Sequence, residues 1–203
     1  MEVMLIDDHP MVNAGIVSIL EDTGMFTVCA QAQTLAEAAA YIENCQTLPR
    51  IIILDLMLGE DNGLDFFPLL EKQCTVKKTA KPPVLVCSAI EDIFKIQTTL
   101  KLGAAGFLSK TGGKAELLKA LDTILCGNIY ISGELNVKLT EAARSYSKFS
   151  NQEIAVINLI KQNKTNKQIA EALGINLRTV ENYISKIYFK TGFSTREEIM
   201  QQL

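Results

Sequence analysis

The feature that most constrains the fold is an apolar run, Ile51-Ile52-Ile53-Leu54, that leads directly into the carboxylate of Asp55. Three of its four residues are β-branched, and no polar residue alternates with them. Such a run predicts a strand buried on both faces, as in a parallel sheet. Asp55 would then lie at the carboxyl end of the strand, where open α/β sheets form their ligand crevice. Taken alone, the run is equally typical of a strand that enters a turn, since Gly59 and Asn62-Gly63 follow.

The composition favours folded domains and excludes several classes of protein. A length of 203 residues allows one large domain or two small ones, and a hydrophobic content of 48% indicates a real core. The apolar runs are too short to span a membrane, and the N-terminus does not resemble a signal peptide. Five cysteines without a CxxC pair predict reduced thiols in the cytosol. The single histidine, His9, excludes a His-rich metal site.

Charge is distributed unevenly along the chain. The net charge is −3, yet residues 148–203 carry eight Lys/Arg against five Asp/Glu, whereas residues 1–147 carry 12 against 18. An acidic first part and a basic last part predict two modules, the second of which meets an anionic partner.

Strand and helix patterns alternate five times in the first part. The predicted strands are 3–6, 26–30, 51–54, 84–87 and 106–108, and the predicted helices are 10–21, 35–42, 63–70, 93–102 and 114–126. Thr34 and Glu37 form a predicted capping box, and residues 77–83 a polar loop. This order predicts a doubly wound, five-stranded parallel sheet with helices on both faces.

Polar side chains follow four of the five predicted strands: Asp7 and Asp8, Asp55, Ser88 and Lys110. A doubly wound fold brings such strand ends into one crevice. Three crowded carboxylates repel one another unless a cation lies among them, and carboxylate oxygens suit Mg²⁺. An aspartate can act as a nucleophile and form an acyl phosphate, while a lysine and a hydroxyl supply donors to the phosphoryl oxygens.

These residues, in this order, resemble the CheY-like receiver domain of a two-component response regulator, over residues 1–126. The resemblance implies that Asp55 accepts a phosphoryl group from the phosphohistidine of a sensor histidine kinase. It implies that Asp8, Asp55 and the backbone carbonyl of Met57 hold Mg²⁺, with Asp7 acting through water. It also implies that the receiver promotes only its own phosphorylation and dephosphorylation, so that the protein is not otherwise an enzyme.

The resemblance further implies a conformational switch. The Ser88 hydroxyl would turn to the phosphoryl group, the Phe107 ring would move inward behind it, and Lys110 would pair with a phosphoryl oxygen. An ordinary core aromatic would explain Phe107 equally well. We interpret His9 as a residue that precedes a helix rather than as a catalytic base, and Cys87 as strand core.

The chain departs from the receiver pattern in three places. Gly59 stands where the family often has proline, Glu60-Asp61 adds negative charge close to the acceptor, and the loop 74–83 is longer than usual. None of these removes a reacting group, so we expect a chain that can be phosphorylated, with kinetics that these differences could alter.

The remainder of the chain predicts a linker and a small helical domain. Residues 127–148 form the linker, with a helix over Gly133–Tyr146, and residues 149–203 form the domain. Its capping signals are Ser150/Glu153, Thr165/Gln168, Asn176 and Ser194/Glu197, which predict helices at about 151–162, 166–173, 177–190 and 195–203. The turn at Gly174 makes the second and third a helix-turn-helix, whose second helix is the recognition helix.

The predicted recognition helix has two distinct faces. The apolar residues that should pack inward are Val180, Ile184 and Ile187. Glu181, Asn182 and Ser185 lie opposite and are of types that can pair with DNA bases. The basic residues around them that could contact phosphates are Lys164, Lys167, Arg178, Lys186, Lys190 and Arg196. A solvated helix surface would show the same pattern.

Residues 149–203 resemble the output domain of the NarL/FixJ class of response regulators, which carry a LuxR-type helix-turn-helix. The matching segments are Phe149-Ser150-x-x-Glu153, Thr165-Asn166-Lys167-x-Ile169-Ala170, Leu173-Gly174-Ile175, Thr179-Val180-Glu181 and Lys190-Thr191-Gly192. The match implies base contacts from Glu181, Asn182 and Ser185. It implies further DNA contacts from Thr165, Asn166, Lys167, Arg178, Thr179, Lys186 and Lys190. The last helix corresponds to the family's dimer contact, and Glu181 replaces a frequent lysine.

The whole chain therefore predicts a cytoplasmic transcription factor in which phosphorylation of Asp55 controls dimerisation and sequence-specific DNA binding. Its expected partners are a sensor histidine kinase, double-stranded DNA, a second copy when phosphorylated or on DNA, and RNA polymerase as a further candidate, with no membrane. An alternative is a phosphorylation-independent regulator whose receiver is only a protein-interaction module. A hydrolase that forms an aspartyl phosphate would need a second acid where this chain has Met57.

Overall fold

The computed structural model describes residues 1–89 and 92–203, apart from the side chains of Phe94 and residues 141–146. The chain divides into two compact units, Met1–Asn136 and Val137–Leu203. Within the described part of the chain, no helix combines the length and the apolar character that a membrane span requires.

The first unit contains a six-stranded parallel sheet. In chain order its strands are β1 (Glu2–Ile6), β2 (Thr27–Ala32), β3 (Ile51–Leu54), β6 (Val84–Ser88), β7 (Gly106–Ser109) and β8 (Tyr130–Ile131), arranged in space as β2-β1-β3-β6-β7-β8. Two further strands, β4 (Met57–Leu58) and β5 (Asp61–Asn62), form a separate antiparallel hairpin after β3. The order places β1, β3, β6 and β7 side by side, so their carboxyl ends share one edge.

Helices connect the strands of the first unit. They are α1 (Pro10–Glu21), α2 (Leu35–Asn44), α3 (Phe66–Lys77), α4 (Ile93–Lys101) and α5 (Lys114–Leu125), with a 3-10 turn at Gly63–Asp65 before α3. After β8, the helix α6 (Gly133–Tyr146) includes the boundary between the two units. Pro10 occupies the first turn of α1, where its missing N–H leaves no hydrogen bond unmade. The doubly wound prediction is confirmed.

Both faces of the sheet are buried, as the uninterrupted apolar runs predict. Alternate strand residues such as Val3, Ile51 and Leu85 pack with α1 and α5. The residues between them, among them Met4 and Phe107, are completely buried on the opposite face. Each such burial stabilises the fold by about 1.5–3 kcal/mol relative to exposure.

Three local predictions need correction. The sheet has six strands rather than five, because Tyr130–Ile131 adds a two-residue edge strand too short to leave a pattern. The helix α3 extends to Lys77, so residues 74–77 of the predicted long loop are helical. Thr34 accepts a hydrogen bond from the Glu37 N–H, but the Glu37 carboxylate accepts from the N–H of Gln33 rather than Thr34, so the capping box is incomplete.

The second unit contains four further helices, α7 (Asn151–Lys161), α8 (Asn166–Leu173), α9 (Leu177–Thr191) and α10 (Arg196–Gln202). Their shared core includes Val156, Ile169, Val180, Ile187 and Ile199. The turn between α8 and α9 passes through Gly174 at φ +64°, a left-handed conformation that glycine adopts without strain. The predicted helix-turn-helix domain is confirmed.

The capping residues of the second unit match the prediction except at α10. The boxes Ser150/Glu153 and Thr165/Gln168 are complete, and Asn176 caps α9. The box at α10 is Thr195/Glu198 rather than Ser194/Glu197. Both pairs fit the sequence pattern, and in the structure the Glu198 carboxylate accepts from the backbone N–H groups of both Ser194 and Thr195, at 2.7 and 2.9 Å.

Candidate functional site

The predicted polar residues converge at the carboxyl edge of the parallel sheet. Asp7 follows β1, Asp55 follows β3, Ser88 ends β6 and Lys110 follows β7. Backbone hydrogen bonds continue the ladders to these positions: the Asp55 N–H donates to Ile6 O at 2.8 Å, and the Lys110 N–H donates to Ser88 O at 3.0 Å. The strand register therefore sets the spacing of the site.

Three carboxylates and one imidazole form the centre of this edge. Side-chain ligand atoms of Asp7, Asp8, His9 and Asp55 all lie within 4.8 Å of one another. Asp7 and Asp55 are only 5% and 3% exposed. Buried carboxylates this close to one another require a compensating cation.

Lys110 supplies part of that compensation. Its Nζ lies 2.7 Å from Asp7 Oδ2 and 2.6 Å from Asp55 Oδ2. Burial alone would lower the pKa of Lys110, but the hydrogen bonds to Asp55 and Asp7 outweigh it and raise that pKa above its usual value. The ammonium group therefore stays charged between the two acids.

The donor set fits a hard divalent cation such as Mg²⁺. One ammonium group cannot neutralise three carboxylates, and the buried Oδ1 of Asp55 has no hydrogen-bond partner in the described part of the chain. Asp8 Oδ1 lies 2.7 Å from His9 Nδ1 and is likewise without a hydrogen bond among the described residues. Carboxylate and carbonyl oxygens are the ligands that Mg²⁺ prefers, and Met57 lies at the start of β4, just beyond Asp55.

The predicted switch residues lie on adjacent strands. Ser88 ends β6 and is completely buried, and Phe107 in β7 is equally buried in register with Val86. Ser88 therefore lies at the acidic edge, while Phe107 lies inside the core.

Cys87, the residue before Ser88, is part of the strand core. Burial raises the pKa of its thiol to about 12, which is typical of a core thiol rather than a reactive one.

Three residues contribute contacts that the sequence did not predict. The buried Asn13 side chain donates to Asp7 O at 2.8 Å, and the His9 N–H donates to Asp7 Oδ1 at 2.8 Å. The Gly59 N–H donates to Asp8 Oδ2 at 2.9 Å. Asn13 lies one helical turn after His9, a spacing that could have indicated its role, whereas the Gly59 contact spans the fold and leaves no local signal.

The helix α9 has the two faces that its sequence predicts. Val180, Ile184 and Ile187 are buried against the other helices, and Glu181, Asn182, Ser185 and Lys186 are exposed. The Ser185 hydroxyl donates to Glu181 O at 3.0 Å. The exposed side of α9 thus combines these polar residues with the exposed aromatic side chain of Phe189.

The predicted contact residues next to this face differ in their availability. Lys167 and Arg178 are exposed. Thr165 and Thr179 have hydroxyls that take part in helix capping, and Asn166 accepts a hydrogen bond from the Arg196 guanidinium at 3.0 Å. Arg196 also donates to Lys164 O, so it ties α10 to the start of α8.

Lys190, one of the residues predicted to contact phosphates, is paired with an acid of its own unit. Its Nζ lies 2.6 Å from Glu153 Oε2, and the Glu153 side chain is only 3% exposed. Burial alone would raise the pKa of Glu153, but hydrogen bonds from Lys190 and Ser150 lower it below the usual value. Removing the ammonium group to a phosphate would leave a buried charge unpaired, which opposes that role.

Each of the two units matches a known protein family. Residues 3–122 match the response regulator receiver domain, and residues 147–202 match the luxR family of bacterial regulatory proteins. The chain is 26% identical to the transcriptional regulatory protein YdfI of Bacillus subtilis, over 97% of this chain and 92% of the relative. It is 29% identical to the DNA-binding transcriptional activator EvgA of Escherichia coli K12, over 94% of this chain and 91% of the relative.

Solved structures show a similar fold. RcsB from Salmonella enterica serovar Typhimurium, in a structure bound to promoter rprA, aligns with a TM-score of 0.68 and 20% identity, over 98% of this chain and 96% of RcsB. At this identity the likeness concerns the fold alone.

Proposed function

The chain belongs to the response regulators that join a receiver domain to a LuxR-type DNA-binding domain, and we propose that phosphorylation of Asp55 controls its binding to DNA. As a member of this family it is a transcription factor.

The observation that supports Asp55 as the acceptor is that its two carboxylate oxygens have different surroundings. Asp55 Oδ2 is held at 2.6 Å by Lys110 Nζ, whereas Oδ1 has no hydrogen-bond partner among the described residues. One carboxylate oxygen of Asp55 would attack the phosphorus atom as the bond from phosphorus to the donor's leaving group breaks. Lys110 would then pair with an oxygen of the bound phosphoryl group.

We propose that Asp8, Asp55 and the Met57 carbonyl hold Mg²⁺, with Asp7 acting through water. The bound cation would neutralise the charge of the phosphoryl oxygens at the acceptor. The protein's own contribution is to hold the acids in place: Asn13 and the His9 N–H position Asp7, and Gly59 positions Asp8. The receiver would promote only its own phosphorylation and dephosphorylation.

The response to phosphorylation is assigned to Ser88 and Phe107. The Ser88 hydroxyl, at the end of β6, would donate to the phosphoryl group, and the Phe107 ring would repack in the space left behind it. Such a two-state element can transmit a local charge change to a distant surface. In the proposed sequence of events this favours a homodimer that binds paired half-sites.

The proposed DNA contacts lie on α9 and around the start of α8. Glu181, Asn182 and Ser185 would contact base edges, because they form the exposed polar face of α9. The proposed backbone contacts are Lys167, Arg178 and Lys186, with Thr165, Asn166 and Thr179 as shorter polar residues beside them. The similarity to EvgA, a DNA-binding activator, supports this assignment. Lys190 is left out because Glu153 holds it.

The remaining partners follow from the same proposal. A sensor histidine kinase would supply the phosphoryl group, RNA polymerase is a candidate for contact at the promoter, and the site of action would be the cytoplasm.

The test uses the full chain and its Asp55→Asn variant, each incubated with acetyl phosphate and Mg²⁺. Intact mass would report phosphorylation, analytical ultracentrifugation would report dimerisation, and binding to duplexes selected from a random pool would report DNA affinity. We expect the wild type to gain one phosphoryl group, to dimerise and to bind DNA more tightly, and the variant to do none of these. Equal dimerisation and DNA affinity with and without phosphodonor would instead favour the receiver as a protein-interaction module.

A further inference from the structure

Gly59 forms part of a tight turn directly beside the acidic edge. Leu58 of β4 pairs with Asp61 of β5, so Gly59 and Glu60 make a two-residue hairpin turn. Gly59 adopts φ +60°, which such turns require at their first position and which glycine adopts at no steric cost. The turn therefore holds the Gly59 N–H in a defined direction.

That N–H group points at a proposed metal ligand. The Gly59 N–H donates to Asp8 Oδ2 at 2.9 Å, across 51 positions of sequence. Proline, which the family often has at this position, carries no N–H and has its φ restricted to about −65°. This chain therefore has a hydrogen-bond donor on Asp8 that the more usual residue cannot supply.

The Gly59 N–H is the hydrogen-bond donor to Asp8 Oδ2, while His9 Nδ1 lies 2.7 Å from the other oxygen, Oδ1, without a hydrogen bond among the described residues. Lys110 Nζ contacts Asp7 and Asp55, and the described residues show no ion pair between Lys110 and Asp8. The Asp8 side chain is also more accessible, at 27% exposure, than those of the two other acids. A partly exposed carboxylate that lost its hydrogen bond would sample more rotamers, and ordering it on a cation would cost entropy.

The hairpin is itself anchored on its other side. Asp61 Oδ2 accepts a hydrogen bond from the N–H of Leu35, the first residue of α2, at 3.1 Å. Gly63, directly after the hairpin, lies so close to the chain that an added Cβ would be 2.3 Å from Asp55 O. The same hairpin contains Met57, whose carbonyl is a proposed ligand. Its position is thus determined by α2, by Asp8 and by the backbone of Asp55.

We propose that the Gly59 N–H is a positioning group for the cation site: it fixes the Asp8 carboxylate, so that the hairpin presents Asp8 and Met57 together as a preformed half of the site. This inference rests on the proposed function, because the cation is the one that the phosphoryl transfer would use. Hydrogen bonds to metal ligands orient them, and their loss typically lowers metal affinity about 10–100-fold.

The first test is a calorimetric titration of Mg²⁺ into the full chain, without phosphodonor. The variants are Gly59→Pro, which removes the donor and also excludes the positive φ, and Gly59→Asn, which retains the donor and tolerates positive φ. A Cβ at Gly59 would have its nearest contact at 4.0 Å, from Asp8 Oδ2, so the Asn variant fits without displacing a neighbour. We expect the Mg²⁺ dissociation constant to rise about tenfold in the Pro variant and to stay within about twofold of wild type in the Asn variant.

The second test separates the hydrogen bond from the shape of the turn. Gly59 is exposed, so protection of its amide from hydrogen exchange would report the bond to Asp8. We expect measurable protection in the wild type and in Gly59→Asn, and its loss in Asp8→Ala. An unprotected Gly59 amide in the wild type, or an unchanged Mg²⁺ dissociation constant in Gly59→Pro, would overturn this inference alone. A wild-type chain that binds no Mg²⁺ would overturn the proposed function as well.

Discussion

Lys110 Nζ lies 2.6 Å from Asp55 Oδ2 and 2.7 Å from Asp7 Oδ2, so the proposed acceptor is paired with an ammonium group of the protein itself. The ammonium group contacts one oxygen of Asp7 and one of Asp55, and among the described residues the other Asp55 oxygen, Oδ1, has no hydrogen-bond partner. This pairing offsets part of the repulsion among the three acids, and it indicates which substitutions should disturb the receiver.

Lys110→Met should destabilise the first unit, because Asp7 and Asp55 would lose their shared cation while staying buried. We expect a loss of about 2–4 kcal/mol in the free energy of unfolding at neutral pH, with part of it recovered by added Mg²⁺. Hydrogen exchange followed by mass spectrometry would resolve the first unit from the second. Lys114→Met, which breaks an exposed pair with Asp22, is the matched control and should change stability by less than about 1 kcal/mol. Equal effects of the two variants would refute the role of Lys110.

Glu153→Gln should make the second unit less stable and less sensitive to acid. The folded state lowers the pKa of Glu153, so its stabilisation is present above the ordinary glutamate pKa of about 4.3 and is lost as pH falls through the lowered value. We expect a loss of about 1–2 kcal/mol at pH 7 and almost no difference from wild type at the lowest pH where both still fold. Urea unfolding between pH 3 and 7 would measure this. A loss that is constant over this range would contradict the assignment.

Thr195→Ala should destabilise α10, whereas Ser194→Ala should not, although both residues fit the capping pattern. The Thr195 hydroxyl accepts from the Glu198 N–H, so its loss should cost about 1 kcal/mol. The Ser194 variant should stay within about 0.5 kcal/mol of wild type. Thermal unfolding of the two variants would measure both losses of stability. A larger loss in Ser194→Ala than in Thr195→Ala would place the cap at Ser194.

Asn182→Ala and Lys186→Ala should weaken DNA binding in different ways. Loss of a base-contacting amide should cost about 1–3 kcal/mol on the preferred duplex and relax its sequence preference. Loss of a phosphate-contacting ammonium should weaken all duplexes alike and reduce the salt dependence of binding by about one unit of slope. Lys190→Met is the contrasting variant, because its ammonium pairs with Glu153. We expect it to lower stability while leaving the salt slope unchanged, and a reduced slope would return Lys190 to the DNA contacts.

Cys87 should react with alkylating reagents far more slowly than Cys126. Burial raises the pKa of Cys87 to about 12, so little thiolate exists at pH 8, whereas the Cys126 side chain is exposed. Peptide mapping after a timed iodoacetamide pulse would rank the two thiols. Rapid labelling of Cys87 in the folded chain would show that β6 opens locally or that this thiol is activated.

Local patterns were sufficient for most of the fold. Uninterrupted apolar runs such as Ile51–Leu54 predict buried strands, because a strand that is covered on both faces exposes neither set of alternating side chains to water. Helix starts were equally predictable, since a cap such as Ser150/Glu153 joins groups three residues apart. The strand pattern failed at Tyr130–Ile131, where the strand has only two residues. The capping pattern failed at α10, where Ser194 and Thr195 both fit it.

The order of Asp7, Asp8, Asp55, Ser88 and Lys110 along the chain determined the kind of chemistry that this protein can support. Only the tertiary structure decided how individual groups are paired: Lys110 with Asp7 and Asp55, Gly59 with Asp8, and Lys190 with Glu153. Residue types and spacing specify what a side chain can bind. Which partner it binds depends on distances across the sheet and between helices, and these are set by strand register and packing between residues 37 or more positions apart.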